Sequence, residues 1–275
     1  MMTEKLKKIH QINGIKIGYT KKQITSYGGL SMMAMFFKKI GLKEAIGSML
    51  PITEISPNAM KAEEKILGFM TLLMTGASRF SHMLYVGNPG VLKSIFGLER
   101  LPLAGTTLTR YFRKIRNVGQ ANSLSENIWG YVKKVVNWRD IESDWLSFDS
   151  TVVTRYGEQE GAKKGYNPNK RGRASHHPLL AFLNGARLVI NIWNRSGNTS
   201  SNHQVIDFFE EAYRRLDDVV KLKGVLADSG FYDERFIKAI ESKNLPFIIT
   251  AKLYSTLQKK VYEHENWQRI EKGLW

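Results

Sequence analysis

Residues 179–193 carry the sequence LLAFLNGARLVINIW, in which two apolar runs flank Asn184-Gly185. Asn-Gly is favoured in two-residue turns between antiparallel strands, because both positions need positive φ angles. The segment therefore predicts a hairpin whose two strands are Leu179–Leu183 and Ala186–Trp193.

Further strands and helices are predicted on both sides of this hairpin. Trp145–Val153 is rich in β-branched and aromatic residues, which is typical of a buried strand. Ser201-Asn202-His203-Gln204 has the form of a capping box and predicts the start of a helix. A strand at Gly224–Ala227, a helix at Asp233–Ser242 and a strand at Phe247–Thr250 follow. Three strands, then a helix, then alternation is the order of a ribonuclease-H-like α/β fold.

The first half of the chain has a different pattern. Apolar residues recur there at helical spacing, as at Leu30, Met33 and Phe37. We therefore predict a small all-helical domain at residues 1–139 ahead of an α/β core at residues 140–275.

Composition limits the classes of function. The 275 residues include 41 Lys and Arg against 25 Asp and Glu, a net charge of +16, and no Cys. The absence of Cys excludes disulfides, thiolate catalysis and zinc ribbons. An excess of positive charge favours a polyanionic partner, with nucleic acid first and an anionic membrane surface second. The apolar segment 66–74 is too short to span a bilayer.

Two aspartates stand out because Asp is uncommon in strands. Asp149 lies within the strand that begins at Trp145, and Asp228 ends the strand Gly224–Ala227. If the first and fourth strands are neighbours, the two carboxylates meet at one sheet edge and could hold Mg²⁺. The alternative is that each Asp caps a helix or forms a turn.

A basic loop lies between the strand of Asp149 and the hairpin. We define the basic loop as residues 163–173 and predict that its cations and one aromatic ring contact DNA. These residues are Lys163, Lys164, Tyr166, Lys170, Arg171 and Arg173. The alternative is a solvated loop. The neighbouring His176 and His177 could be metal ligands, but a His pair before Pro is more often structural or faces phosphate.

A second basic surface is predicted in the first half of the chain. Thr106 is expected to cap a helix with an apolar face. Arg110, Arg113 and Lys114 would project from another face, either into a DNA groove or simply into solvent.

Several stretches together resemble the DDE transposases of bacterial insertion sequences, and most closely the insertion sequence 1380 family. They are GEQEGAKKGYNP at 157–168, KRGRASHHPLLAF at 170–182, FDST at 148–151, LADSGFY at 226–232 and LERLPLAGTTLTR at 98–110.

The resemblance implies a site, a cofactor and partners, and it implies that the helical domain at residues 1–139 serves in DNA binding or assembly. The first two acids of the family's catalytic triad fall on Asp149 and Asp228, and the implied cofactor is Mg²⁺, with Mn²⁺ as an alternative. The implied partners are double-stranded DNA, as terminal inverted repeats and as target, and a second copy of the protein in a homodimer on DNA. The implied location is the bacterial cytoplasm, at the nucleoid, with no membrane partner.

The third acid departs from the family pattern. The family implies a glutamate on a helix that follows an inserted β segment, yet only 25 residues (275 − 250) follow Thr250. Glu263, Glu265 and Glu271 lie where the insertion would start, and none is assigned as the third ligand. We therefore expect the front part of a transposase, which binds DNA without cutting it. The alternatives are an inactive DNA-binding remnant and a metal-dependent DNA nuclease.

Overall fold

The computed structural model describes residues 10–12, 15–17, 25–52, 54–85 and 89–268. The chain forms two compact units, residues 1–135 and residues 136–275. Among the described residues, no helix is both long enough and apolar enough to cross a bilayer.

The first unit consists mainly of helices around an apolar core. Its elements are β1 (His10–Ile12), β2 (Ile15–Ile17), α1 (Leu30–Lys39), α2 (Leu42–Met49), α3 (Ala62–Met74), α4 (Pro89–Phe96), α5 (Gly105–Phe112) and α6 (Val118–Val135). Leu67, Leu72, Leu92 and Leu108 are almost completely buried in the core. Burying each such side chain contributes roughly 1.5–3 kcal/mol, which the loss of conformational freedom partly offsets.

The prediction that residues 1–139 are all helical is wrong at the start of the chain. Strands β1 and β2 pair antiparallel there, with Ile12 opposite Ile15. The residues between them in the sequence are Asn13-Gly14. The same dipeptide predicts the hairpin at Asn184-Gly185, so the sequence carries the signal for paired strands here as well.

The second unit is a mixed α/β fold. Its elements are β3 (Ser143–Ser150), β4 (Val153–Thr154), β5 (Lys163–Lys164), β6 (Ala174–His176), β7 (Leu179–Leu183), β8 (Leu188–Trp193), α7 (Val205–Leu216), β9 (Lys221–Ala227), α8 (Glu234–Glu241), β10 (Phe247–Ile249) and α9 (Ser255–Glu263). The central sheet has the order β10-β9-β3-β7-β8, and a smaller sheet has the order β4-β6-β5.

The central sheet has ribonuclease-H-like topology. Strands β9 and β10 run parallel to β3, whereas β7 runs antiparallel to it. The predicted adjacency of the first and fourth strands is confirmed by the pairing of β3 with β9. The carboxyl ends of these two strands therefore lie at one edge of the sheet.

The predicted hairpin is also confirmed, because β7 pairs antiparallel with β8. Its turn is longer than the two residues expected and spans residues 184–187. Asp144 in β3 stabilises this turn, because its buried carboxylate accepts hydrogen bonds from the backbone N–H groups of Gly185 (2.9 Å) and Ala186 (2.8 Å). The residue that closes the turn, Arg187, adopts a positive φ of 56°.

An aromatic cluster fixes the end of β3. The ring centroid of Phe148 lies 5.8 Å from that of Phe208 in α7 and 5.6 Å from that of Phe236 in α8. All three rings are buried, and the near-perpendicular ring pairs add stabilisation beyond their buried area. Because Phe148 is anchored, the backbone position of the next residue, Asp149, is anchored as well.

Candidate active site

The two predicted acids stand at the same edge of the central sheet. Phe148 of β3 is paired in parallel register with Ala227 of β9, and Asp149 and Asp228 are the next residues on the two strands. Neighbouring strands are about 4.8 Å apart, so the backbones of the two acids are adjacent. Both residues are exposed to solvent.

Each carboxylate is oriented by its own backbone. Oδ1 of Asp149 accepts a hydrogen bond from the N–H of Ser150 at 2.7 Å. Oδ1 of Asp228 accepts one from the N–H of Gly230 at 2.8 Å and caps the short 3₁₀ turn Ser229–Phe231. The second oxygen of each carboxylate is left to accept from another group.

The charge at this edge fits a divalent cation. Two adjacent carboxylates repel each other, and a cation between them relieves the repulsion. Hard oxygen donors are the ligands that Mg²⁺ and Mn²⁺ prefer. The two aspartates fit that donor chemistry, although within the described part of the chain no group of three or more His, Asp or Glu side chains could hold a metal ion.

Within the described residues, neither Glu263 nor Glu265 joins the two aspartates in a group that could hold a metal ion. Glu263 is the last residue of α9, and its carboxylate lies 3.7 Å from Nζ of Lys259. Glu265 is exposed just beyond that helix. Glu271 lies outside the described residues.

The two histidines have structural hydrogen bonds. In the small sheet, Nδ1 of His176 accepts from Nε of Arg155 (2.8 Å), and its Nε2 lies 2.9 Å from the carbonyl oxygen of Glu160. His177 is 2.8 Å from the carbonyl oxygen of Thr199 through Nδ1 and 3.2 Å from Oγ of Ser150 through Nε2. All four ring nitrogens thus have protein partners, which favours the structural interpretation over metal ligation.

The predicted capping box before α7 is wrong. The helix begins at Val205, and the residue before it, Gln204, has a left-handed backbone and no capping hydrogen bond from its side chain. The hydroxyl of Ser201 instead lies 2.9 Å from that of Ser150, which follows Asp149. A tertiary partner therefore replaces the local one that the motif predicts.

The basic loop is held in shape by a buried asparagine that the sequence analysis did not single out. Oδ1 of Asn167 accepts from the backbone N–H groups of Asn169 (3.2 Å) and Lys170 (2.9 Å), and its Nδ2 donates to Oγ1 of Thr154 (3.0 Å). An Asn within a run of Gly, Pro and Asn is a recognisable turn signal, so this role was open to sequence reasoning.

The predicted DNA-contacting side chains of the basic loop all point into solvent. Lys163 and Lys164 form β5, and Tyr166 is 77% exposed. Arg173 lies over the ring of Tyr156, 5.9 Å from its centroid, which gives it a preferred orientation. Lys170 and Arg171 are also exposed.

The loop is packed against the segment that carries Ser201. A Cβ atom at Gly165 would come within 1.9 Å of the carbonyl oxygen of Gly197, and one at Gly197 would come within 2.3 Å of that of Ser175. Glycine is therefore required at both positions, because any side chain would push the backbones apart. This contact places the basic loop against the segment that reaches Ser150, next to Asp149.

The helix α5 differs from its prediction in two ways. It begins at Gly105, with Ala104 as its N-cap, so Thr106 is a residue of the first turn and not the cap. Leu108 and Tyr111 are buried as expected, but the helix ends at Phe112. Arg113 is the C-cap and Lys114 lies beyond the helix.

The three cations of the second basic surface differ in their partners. Arg110 and Arg113 are exposed, whereas Nζ of Lys114 is bonded to Glu54 at 2.7 Å. Glu54 also binds the buried Lys65. The hydrogen bond from Lys114 and then the one from Lys65 hold the pKa of the Glu54 carboxyl below its usual value.

We expect these three cations to behave differently when they are neutralised. The double change Arg110→Gln and Arg113→Gln should weaken DNA binding and reduce its salt slope by about 0.9 per lost phosphate contact. Lys114→Gln should leave that slope unchanged and lower the free energy of unfolding by up to about 1 kcal/mol. Salt titrations of DNA binding and thermal unfolding distinguish the two effects.

The pH dependence of stability provides a check on the pairing of Lys114 with Glu54. Because the folded-state pKa of Glu54 is lowered, its pairing stabilises the fold fully above the unfolded-state pKa and is lost as pH falls through the folded-state value. The stability difference between the wild type and Lys114→Gln should therefore disappear in acid. A difference that persists there would contradict the assignment of Lys114 to Glu54.

Comparison with known proteins places this chain in a family. Residues 8–272 match the family of the transposase DDE domain, group 1. This match covers nearly the whole chain, so the protein belongs to the DDE transposases. No curated protein matches the chain.

Solved transposase structures are distantly similar to the chain. A piggyBac transposase synaptic complex with hairpin DNA matches at 14% identity and a TM-score of 0.40, covering 87% of this chain and 54% of that one. The Drosophila P element transposase strand transfer complex matches at 11% identity and 0.33, covering 78% and 48%. The Mos1 mariner paired-end complex with Mn matches at 10% identity and 0.27, covering 83% and 79%. The chain thus spans about half the length of the piggyBac and P element proteins.

Proposed function

We propose that the protein is a transposase that cuts and joins DNA at the ends of an insertion sequence, with a divalent metal bound between Asp149 and Asp228. The observation that carries this proposal is the parallel register of β3 and β9, which brings the two acids to adjacent positions. We expect their carboxylate oxygens to lie within about 4–5 Å of each other, or to share one ion at about 2.1 Å.

The metal and the protein have separate tasks in this proposal. When bound, divalent metal activates an attacking oxygen and stabilises the leaving one in phosphoryl transfer. Asp149 and Asp228 bind it, and the backbone N–H groups of Ser150 and Gly230 fix their orientation. The cations of the basic loop bind the DNA backbone and hold it near the acids.

The basic loop also supports double-stranded DNA as the partner. Five exposed cations on one short loop favour a polyanion, and the packing of Gly165 on Gly197 joins this loop to the segment beside Asp149. The finer parts of the proposal are membership of the insertion sequence 1380 family, binding of terminal inverted repeats and target DNA as a homodimer, and action at the bacterial nucleoid.

A strand-cleavage assay tests the proposed function. The substrate is DNA from the two flanks of the coding sequence, with Mg²⁺ or Mn²⁺ present. We expect any cleavage and joining to be lost in Asp149→Ala and Asp228→Ala, with DNA binding retained. Cutting without joining would identify a nuclease, and binding without cutting a DNA-binding remnant. Cleavage that persists in Asp149→Ala would contradict the assigned site.

A further inference from the structure

A connected series of hydrogen bonds includes Ser150, the residue that follows Asp149. It runs from the carbonyl oxygen of Thr199 to Nδ1 of His177 (2.8 Å), and from Nε2 of His177 to Oγ of Ser150 (3.2 Å). It continues from Oγ of Ser150 to Oγ of Ser201 (2.9 Å). None of these groups has a task in the proposed function.

When the imidazole of His177 is neutral, the donor and the acceptor of each of these bonds can be assigned. A carbonyl oxygen only accepts, so Nδ1 of His177 carries the proton and Nε2 accepts from the hydroxyl of Ser150. The hydroxyl of Ser150 has then used its proton and must accept from Ser201. Every donor in this series of hydrogen bonds has an acceptor, so the contact has one defined arrangement.

The contact links the end of β3, which carries Asp149, with the turn that carries Asp228. Ser150 follows Asp149 in β3, so its side chain points to the opposite face of the strand. On the other side, the position of a Cβ atom on Gly230 would be 2.9 Å from Oγ of Ser201 and 2.9 Å from Oδ1 of Asp228. The hydroxyl of Ser201 thus lies between the end of β3 and the turn that holds Asp228.

The segment that carries Ser201 is itself anchored by a buried cation. Nε of Arg195 donates to the carbonyl oxygen of His177 (3.1 Å), and its Nη1 donates to those of Ser200 (3.0 Å) and His203 (2.5 Å). Burial lowers the pKa of Arg195 to about 10, so the guanidinium remains protonated at neutral pH. The backbone on both sides of Ser201 is therefore fixed by Arg195.

The geometry points to Ser201, acting through Ser150, as a positioning residue that sets the separation of Asp149 and Asp228 for a divalent metal. Groups that orient metal ligands without touching the metal commonly change metal affinity by about 10–100-fold when they are removed. This inference rests on the proposed function, because it needs Asp149 and Asp228 to be the ligands.

The test is Mn²⁺ affinity, measured by calorimetry on the full 275-residue chain. We expect Ser201→Ala to weaken binding about tenfold, and Ser201→Thr, which keeps the hydroxyl, to restore most of the loss. Ser200→Ala is the matched control, because Ser200 is the exposed neighbour in the same segment and contributes only its carbonyl oxygen. It should bind Mn²⁺ as the wild type does.

A double change separates positioning from a general loss of stability. If Ser201 acts through its bond to Ser150, the variant with both Ser150→Ala and Ser201→Ala should bind Mn²⁺ no more weakly than the weaker single variant. Additive losses would overturn the inference, and so would unchanged affinity in a folded Ser201→Ala. If Ser201→Ala does not fold, Ser150→Ala breaks the same bond from the other side, and unchanged affinity there would overturn it equally.

The controls also distinguish this inference from the proposed function. If Asp149→Ala weakens Mn²⁺ binding and Ser201→Ala does not, only the inference about Ser201 is contradicted. Mn²⁺ binding that is indifferent to Asp149→Ala would overturn both.

Discussion

Replacement of Asp149 or Asp228 by alanine is expected to weaken Mn²⁺ binding about 100-fold, which corresponds to roughly 2.7 kcal/mol. Each change removes one of two adjacent negative charges and one of two oxygen ligands, so the remaining carboxylate binds alone. Titration of each variant with Mn²⁺ measures the effect. The chain should stay folded, since both side chains are exposed.

Asp144 provides the control for this experiment. It is an acid of the same strand, but its carboxylate accepts from Gly185 and Ala186 at the other end of β3. Asp144→Asn should lower the free energy of unfolding by about 1–3 kcal/mol, because a buried charge-assisted contact is lost, and should leave Mn²⁺ affinity unchanged. An equal loss of Mn²⁺ affinity in Asp144→Asn would show that the metal is not bound at the predicted edge.

Neutralising the basic loop is expected to produce the largest change in DNA binding. Substituting glutamine for Lys163, Lys164, Lys170, Arg171 and Arg173 together should weaken DNA binding about 100-fold at low salt. The slope of log affinity against log salt should fall by about 0.9 for each phosphate contact removed. Binding of a DNA duplex across a salt titration measures both quantities.

A matched control uses cations at the opposite edge of the sheet. Arg187 lies in the β7–β8 turn, and Lys221 and Lys223 lie at the start of β9, away from the acids. Their triple substitution removes the same charge as the triple substitution of Lys170, Arg171 and Arg173. Equal losses of affinity from the two triple variants would mean that net charge, and not the basic loop, binds DNA.

Local patterns are sufficient to predict the central sheet of the second unit, but not its small sheet or helix α9. The Asn184-Gly185 signal located the hairpin, and the order of strands and helices predicted that β3 and β9 are neighbours, which the pairing confirms. Hydrophobic patterning and turn chemistry are local in the sequence, so both could be recognised without a structure. The positions of Asp149 and Asp228 at one edge followed from that framework.

Features that depend on distant partners could not be predicted in the same way. Ser201 was assigned to a cap, but its partner is Ser150, 51 residues away. The helical pattern predicts that Lys114 projects from a basic face, and the structure pairs it with Glu54, 60 residues away. In each case the local motif is present, and no short window of sequence contains the tertiary partner.

If Asp149 and Asp228 share one divalent metal, local cleavage of the protein backbone by a bound iron ion will reveal both residues at once. Iron(II) replaces magnesium, and ascorbate with peroxide generates hydroxyl radicals that cut the chain close to the bound ion. We expect two cuts, one near residue 149 and one near residue 228, both suppressed by competing Mg²⁺ and both lost together in Asp149→Ala. A cut at only one of these positions, or two cuts that survive in Asp149→Ala, would contradict the shared metal site.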